Sequence, residues 1–371
     1  MVVRNEPRVG ISLPGLLLLF LKVGSIGFGG GMAIIAVLER EVVTRRKLLQ
    51  TEEFLHGVCF GQILGSFAVN AALFVGYQLY GPLGGLLSAG VFLLPSVALV
   101  TGLSYFYFQY HSIPAMQAAV AGLGPVVVAL IVDAGWCIGR KVVRSRTAAA
   151  IAVAALVAGI AKVNTVWVLM CAGALSYALL SRGEARHRVP ALAVAAVPAA
   201  GVATLSATFF KIGVVFFGGG FVLVPMLHER LVTGLHWLTT QEFIDGVAIS
   251  NLTPGPIAVL ATFAGFHVAG ISGALLATAA LLAPGLLLML VLCREYERLK
   301  CDTRVQRFLC GVNPAVTGLV LSAAYLLGSG ALVTWRACLL GVLSLVMLRK
   351  LRWHPAAALA VGAAAGYMGW V

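Results

Sequence analysis

Apolar residues run almost unbroken along this chain, and glycine, proline and short basic clusters divide them rather than a polar–apolar alternation. Stretches of about 18 or more apolar residues recur, the length that takes a helix across a bilayer. Three lie at roughly 51–80, 82–110 and 113–139. The first is interrupted by Gly61, Gly65 and Ser66, and a later one at 240–269 is interrupted by "NLTPGP". Another apolar run carries Lys22 and then meets Gly29, Gly30 and Gly31. A helix is expected to stop at such a glycine run and a second half-helix to start near Met32, with the same event near Phe221.

The pattern occurs twice. "KVGSIGFGGGM" from Lys22 returns as "KIGVVFFGGGF" from Lys211, 189 residues later. The same offset aligns "TEEFLHG" from Thr51 with "TQEFIDG" from Thr240, and Gly76, Gly81, Gly84 and Pro95 with Gly265, Gly270, Gly273 and Pro284. Between Lys22 and Pro95, 24 of 74 positions are identical without a gap. Matched Lys, Glu, Phe and Pro positions do not arise from Leu/Ala-rich coincidence, so the chain is a duplication. Residues 1–185 form the first transmembrane repeat, 186–204 a linker with an extra short crossing, and 205–371 the second repeat.

Loop charge does not repeat; it alternates. Arg40, Arg45, Arg46 and Lys47 have a nearly neutral counterpart around His228, and Arg140, Lys141, Arg144 and Arg146 face a stretch with Arg336 alone. Conversely, the quiet turn at "YHSIP" corresponds to a stretch with Arg294, Arg298, Lys300, Arg304 and Arg307. Basic loops mark the cytoplasmic face, so the halves are expected to lie upside down relative to each other. Arg45 and Arg140 then share a face although three apolar segments separate them. One segment must enter and leave on the same side, and the glycine-broken 51–80 is the candidate. The expected fold class is therefore an all-α polytopic membrane protein, with two homologous halves in inverted topology and broken or re-entrant helices.

Composition agrees: 60% of the 371 residues are hydrophobic and 11% charged, with a mean hydropathy of +0.99. A soluble domain carries about 25% charged residues. The net charge of +13 is read as loop charge rather than a nucleic-acid surface. No cleavable signal peptide is expected. None of the seven cysteines falls in C-x-x-C spacing, so no metal site or disulfide is expected. His228-Glu229 lacks the second histidine of a zinc-protease helix, and there is no G-x-S-x-G and no P-loop. The chain is read as a non-enzyme without a cofactor.

A charge at membrane depth costs several kcal/mol and marks a substrate or ion path. Lys22 and Lys211, each followed by a helix break at Gly29–Gly31 or Gly218, Gly219 and Gly220, would combine an ammonium with backbone N–H groups that favour an anion. Two such sites match a dianion. Snorkelling of each lysine and close packing at the glycines are the plain alternatives. In "SNLTPGPIA", Pro254, Gly255 and Pro256 break a helix behind Asn251 and Thr253, whose side chains can bond an anion or freed carbonyls; Gln62 takes the place of Asn251 in the first half. A proline kink explains the same residues. Glu53 and Glu242, with His56 opposite Asp245, could relay protons. Capping by Thr51 and Thr240 explains the glutamates equally. Asp133, in an apolar run, awaits an arginine partner.

At these residues the chain resembles the chromate ion transporter family. The matching features are the run from Phe20 to Gly31, Glu39, Arg40 and Glu41, then Glu53, Phe54, Gln62 and Asn70. In the second half they are Phe210 to Gly220, Pro225, Glu229, Arg230, Glu242, Phe243 and Pro254 to Pro256. The first half carries Gly65-Ser66-Phe67 where the family pattern has Pro-Gly-Pro. The resemblance implies export of chromate across a cytoplasmic (inner) membrane, conferring resistance, with sulfate as a mimic. It also implies Asn70 as a substrate contact and Glu39, Arg40, Glu229 and Arg230 as coupling candidates. A sulfate or molybdate carrier and a passive anion channel are the competing functions, and a homodimer is the candidate assembly.

Overall fold

The computed structural model describes residues 11–27, 31–110, 114–161, 163, 165–180, 202–216, 222–295, 303–351, 353 and 355–370. Among them all regular structure is helical. The first half contains α1 (Leu13–Ile26), α2 (Gly31–Glu39), a π-helical turn (Arg40–Arg45), α3 (Thr51–Ile63), α4 (Phe67–Tyr110), α5 (Pro114–Ala121), α6 (Leu123–Val142), α7 (Arg146–Ile160) and α8 (Thr165–Leu180). The second half repeats the order as α9 (Val202–Val215), α10 (Leu223–Leu227), a π-helical turn (His228–Gly234), α11 (Thr240–Leu252) and α12 (Leu260–Arg294, after a 3₁₀ turn). It ends with α13 (Thr303–Ala331), α14 (Trp335–Arg349) and α15 (Pro355–Tyr367). Of the expected crossing near 189–203, residues 189–201 lie outside the described residues and the last two open α9.

Duplication extends to packing. Phe20, Phe54 and Phe74 are fully buried, and so are their repeat mates Phe209, Phe243 and Phe263. A Cβ on Gly24 would strike the Phe92 carbonyl and one on Gly213 the Leu281 carbonyl, so α1 and α9 each touch the following long helix at a glycine. Gly57 and Gly246 likewise lie against the rings of Phe74 and Phe263. Even the strained residues recur: Lys47 (φ 50) and His236 (φ 52) close the two π-turn regions with left-handed backbone.

The segment 51–80 is a hairpin of two half-helices. α3 stops at Ile63, residues 64–66 are non-helical, and the first leg of α4 runs back along α3, with Gly57 on Phe74. A kink at Tyr80–Gly81 (Gly81 φ 69, ψ −164) then starts the long leg 82–110, as Ala269–Gly270 does in α12. Tyr80 donates a hydrogen bond to the Ile11 carbonyl at 2.6 Å, placing the hairpin's end beside the start of α1. The segment therefore leaves on the face it entered, as loop parity required.

Contacts between the two long legs fix their directions. Phe108, at the end of the first, stacks on Phe266 and meets the His267 ring at a tilt, just before the second begins. Cys293 and Arg294, at the end of the second, lie in electrostatic reach of Tyr77, just before the first begins. The legs are antiparallel. Both lie in helices long and apolar enough to span a membrane (Phe67–Tyr110, Ile257–Arg294), so the halves are inverted. Apolar side chains such as Leu83, Leu94, Ile271, Leu287 and Val291 stay exposed along these legs; in a bilayer that surface meets lipid tails.

Candidate functional site

The helix breaks of the two halves meet crosswise. α1 ends at Ile26 and its cap Gly27 offers a carbonyl to the Gly255 N–H of the other half at 2.9 Å. α9 ends at Val215, and the carbonyl of the next residue, Phe216, lies where a Cβ on Gly65 would stand. Gly65 (φ 92) and Gly255 (φ 122) both occupy left-handed backbone, which glycine alone adopts at little cost. Ser96, on the long leg of α4, donates to the Pro254 carbonyl. Gly29, Gly30, Gly218, Gly219 and Gly220 lie outside the described residues. Gly31 itself opens α2, one residue before the expected restart, and α10 spans Leu223–Leu227, while Phe221 lies outside the described residues.

The lysines are not alike. Lys22 turns to Glu41, its Nζ 3.2 Å from Oε1, and is half exposed (53%). Arg45 reaches the same oxygen at 3.1 Å, and Arg46 approaches Oε2 at 3.9 Å. Lys22 is therefore ion-paired with a carboxylate. The chain turns back after α2, so the π turn brings the buried Glu41 to Lys22. Burial alone would raise the Glu41 carboxyl; hydrogen bonds and charge from Lys22 and Arg45 outweigh it and hold the group below its ordinary value. Lys211 is half-buried. Its half has Arg230 at the position of Glu41, because Arg40–Glu41 recurs in reversed order as Glu229–Arg230.

Glu53 and Glu242 cap helices. Glu53 accepts from the Gln50 N–H at 3.2 Å, while Glu242 accepts from the Thr239 N–H at 2.7 Å and its hydroxyl at 2.8 Å. The N-caps are thus Gln50 and Thr239, one residue earlier than the expected Thr51 and Thr240, since the chain turns helical only after the extended Gln50 and Thr239. Asn251 donates back to the Val247 carbonyl at 2.8 Å and Thr253 to Ser250 at 3.2 Å. The backbones of His56 and Gln62 lie in α3; their side chains are outside the description. Glu39 and Glu229 are half-buried, and Arg40 and Arg230 exposed.

Asp245 is buried between the halves. Tyr107 donates to its Oδ2 at 2.6 Å and Gln241 to its Oδ1 at 2.9 Å. No local pattern pointed to Tyr107, 138 residues away. Asp133 finds its cation in Arg349 of the other half, 3.6 Å away, which also sits over the Trp136 ring. Asn70 is buried and donates to the Leu64 carbonyl at 3.2 Å. It lines a narrow cleft with Leu64, Ser66, Gly213, Phe216 and Gly285. Sequence reasoning gave Glu41 and Ser66 no role of their own and did not single out Ser96; the break in charge symmetry at 41/230 and the Ser96/Gly285 exchange were the readable signals.

A family described as "Chromate transporter" matches residues 15–177 and 203–367, one span per half. A probable chromate transport protein of Synechococcus elongatus is 31% identical over 358 residues, covering 92% of this chain and 91% of its own. Chromate transport proteins of Cupriavidus metallidurans and Pseudomonas aeruginosa are 27% and 32% identical, over 92% and 84% of this chain and 89% and 80% of theirs. No solved structure matches.

Proposed function

The chain belongs to the chromate transporter family, and from that premise we propose that it is a secondary transporter that exports chromate across the cytoplasmic membrane and so confers chromate resistance. The observation that carries the reading is the crosswise docking of two helix breaks between antiparallel long legs. Inverted halves with broken helices at their interface are the plan on which alternating access runs, one half rocking against the other about a central site.

Charge supports an anionic cargo. Lys22, Arg45 and Arg46 surround the single carboxylate of Glu41, leaving a surplus of positive charge where α1 and α2 fold together. Such a surplus concentrates anions at the entrance. In this reading Glu41 holds Lys22 until a dianion competes for it. Lys211 supplies the second cation, Gln62 and Asn70 supply polar contacts at the first break, and Asn251 and Thr253 hold the backbone around the second through Val247 and Ser250. Pro254, Gly255 and Pro256 keep the second break open as backbone shape. Asp245, His56, Glu39, Arg40, Glu229 and Arg230 are the proposed coupling groups. Sulfate, a dianion of the same shape, is the expected competitor.

Everted membrane vesicles test this. Chromate accumulates inside them under a proton gradient and saturates, and Lys22→Ala or Lys211→Ala abolishes the accumulation while the protein still reaches the membrane. Unchanged transport in both variants overturns the role of the lysines. Gradient-indifferent, non-saturating flux identifies a channel, and sulfate flux without chromate flux identifies a sulfate carrier.

A further inference from the structure

The two breaks are repeat mates, yet among the described residues it is the first that holds a buried hydroxyl without a partner. In the second half the Gly255 N–H bonds the Gly27 carbonyl, and Pro254 and Pro256 have no N–H. Thr253 uses its N–H on Ile249 and its hydroxyl on Ser250. Ser96 donates to the Pro254 carbonyl and fills the space above Gly255, where a Cβ would collide with its Oγ. That break is closed by its own atoms.

Facing the first-half break, the residue corresponding to Ser96 is Gly285 of the second half, which lies close to the Leu64 carbonyl and lines the narrow cleft with no side chain of its own. Ser66 lines it, 5% exposed, with an Oγ that has no hydrogen-bond partner. A buried hydroxyl without a partner costs about 1–3 kcal/mol and calls for a ligand. Ser66 immediately precedes Phe67, where α4 begins, so first-turn N–H groups face the same end. Asn70, one turn on, spends one amide hydrogen on Leu64 and has a second to give. In the second half Val259 stands in its place.

We propose that the transported oxyanion binds at the first-half break alone, with the Ser66 hydroxyl and the Asn70 amide as its donors, while the second break is a fixed structural counterpart. The inference rests on the oxyanion-transport reading above and narrows it to one asymmetric subsite. The cleft is narrow, and Phe216, whose carbonyl and ring both press on Gly65, must yield for an oxyanion to enter.

The test is equilibrium binding of radiolabelled chromate, with sulfate as competitor, to the detergent-purified full chain. Ser66→Ala removes a group that has no partner in the unloaded protein, so its melting temperature is expected to hold or rise. Its chromate affinity is expected to fall roughly tenfold or more, the worth of one hydrogen bond to a charged group. Ser96→Ala, which removes the serine hydroxyl at the second break instead, is expected to leave affinity within about twofold. Wild-type affinity in Ser66→Ala, or an equal loss in Ser96→Ala, overturns the asymmetric subsite while leaving oxyanion transport standing. Absence of chromate and sulfate binding in the wild type overturns both.

Discussion

At the residue scale the informative group is Glu41, a carboxylate gathering three cations from two elements. Its carboxyl lies below its ordinary 4.5 when folded, so its contribution to stability is complete above that value and is lost as pH falls through the lowered one. The cations are about half exposed, which limits the contribution to about 1 kcal/mol. Glu41→Gln is therefore expected to lower the melting temperature of the purified protein at neutral pH and to narrow the gap to wild type near pH ~4. An unchanged gap between the two pH values would refute this account of the cluster. Asp245 differs: its partners Tyr107 and Gln241 are neutral donors, so its hydrogen bonds tie the two halves without cancelling charge.

At the element scale the hairpins depend on glycine where a ring must lie flat against backbone. Gly57 faces Phe74 and Gly246 faces Phe263, each closer than any Cβ would permit. Gly57→Ala and Gly246→Ala should each cost about 1–3 kcal/mol through overpacking, by similar amounts because the contacts are repeat mates. Thermal unfolding in detergent measures both, and a neutral result in either would show that its hairpin can spread without penalty. The break glycines Gly65 and Gly255 act through conformation as well, since their φ values of 92 and 122 exclude most side chains.

At the scale of the whole molecule, inversion has a direct readout. Lys47 and His236 are exposed repeat mates, and inverted halves place them on opposite membrane faces. With basic loops inside, a membrane-impermeant thiol reagent on intact cells should label His236→Cys and spare Lys47→Cys in a cysteine-free background. Labelling of both from one face would contradict antiparallel halves.

The sequence by itself determined the helical class, the duplication, the inversion and the break at 64–66. Those follow from apolar length, a fixed offset and loop charge, all of which are local or periodic quantities. The helix caps were legible to within one residue, because capping is a local competition between neighbouring donors and acceptors. Tertiary structure alone decided that Lys22 meets Glu41, that Tyr107 holds Asp245, and that Gly27 and Phe216 each receive the other half's break. Those pairings join residues far apart in the chain, and hydropathy is blind to them: it records how much a segment avoids water, not which distant atoms complete its hydrogen bonds.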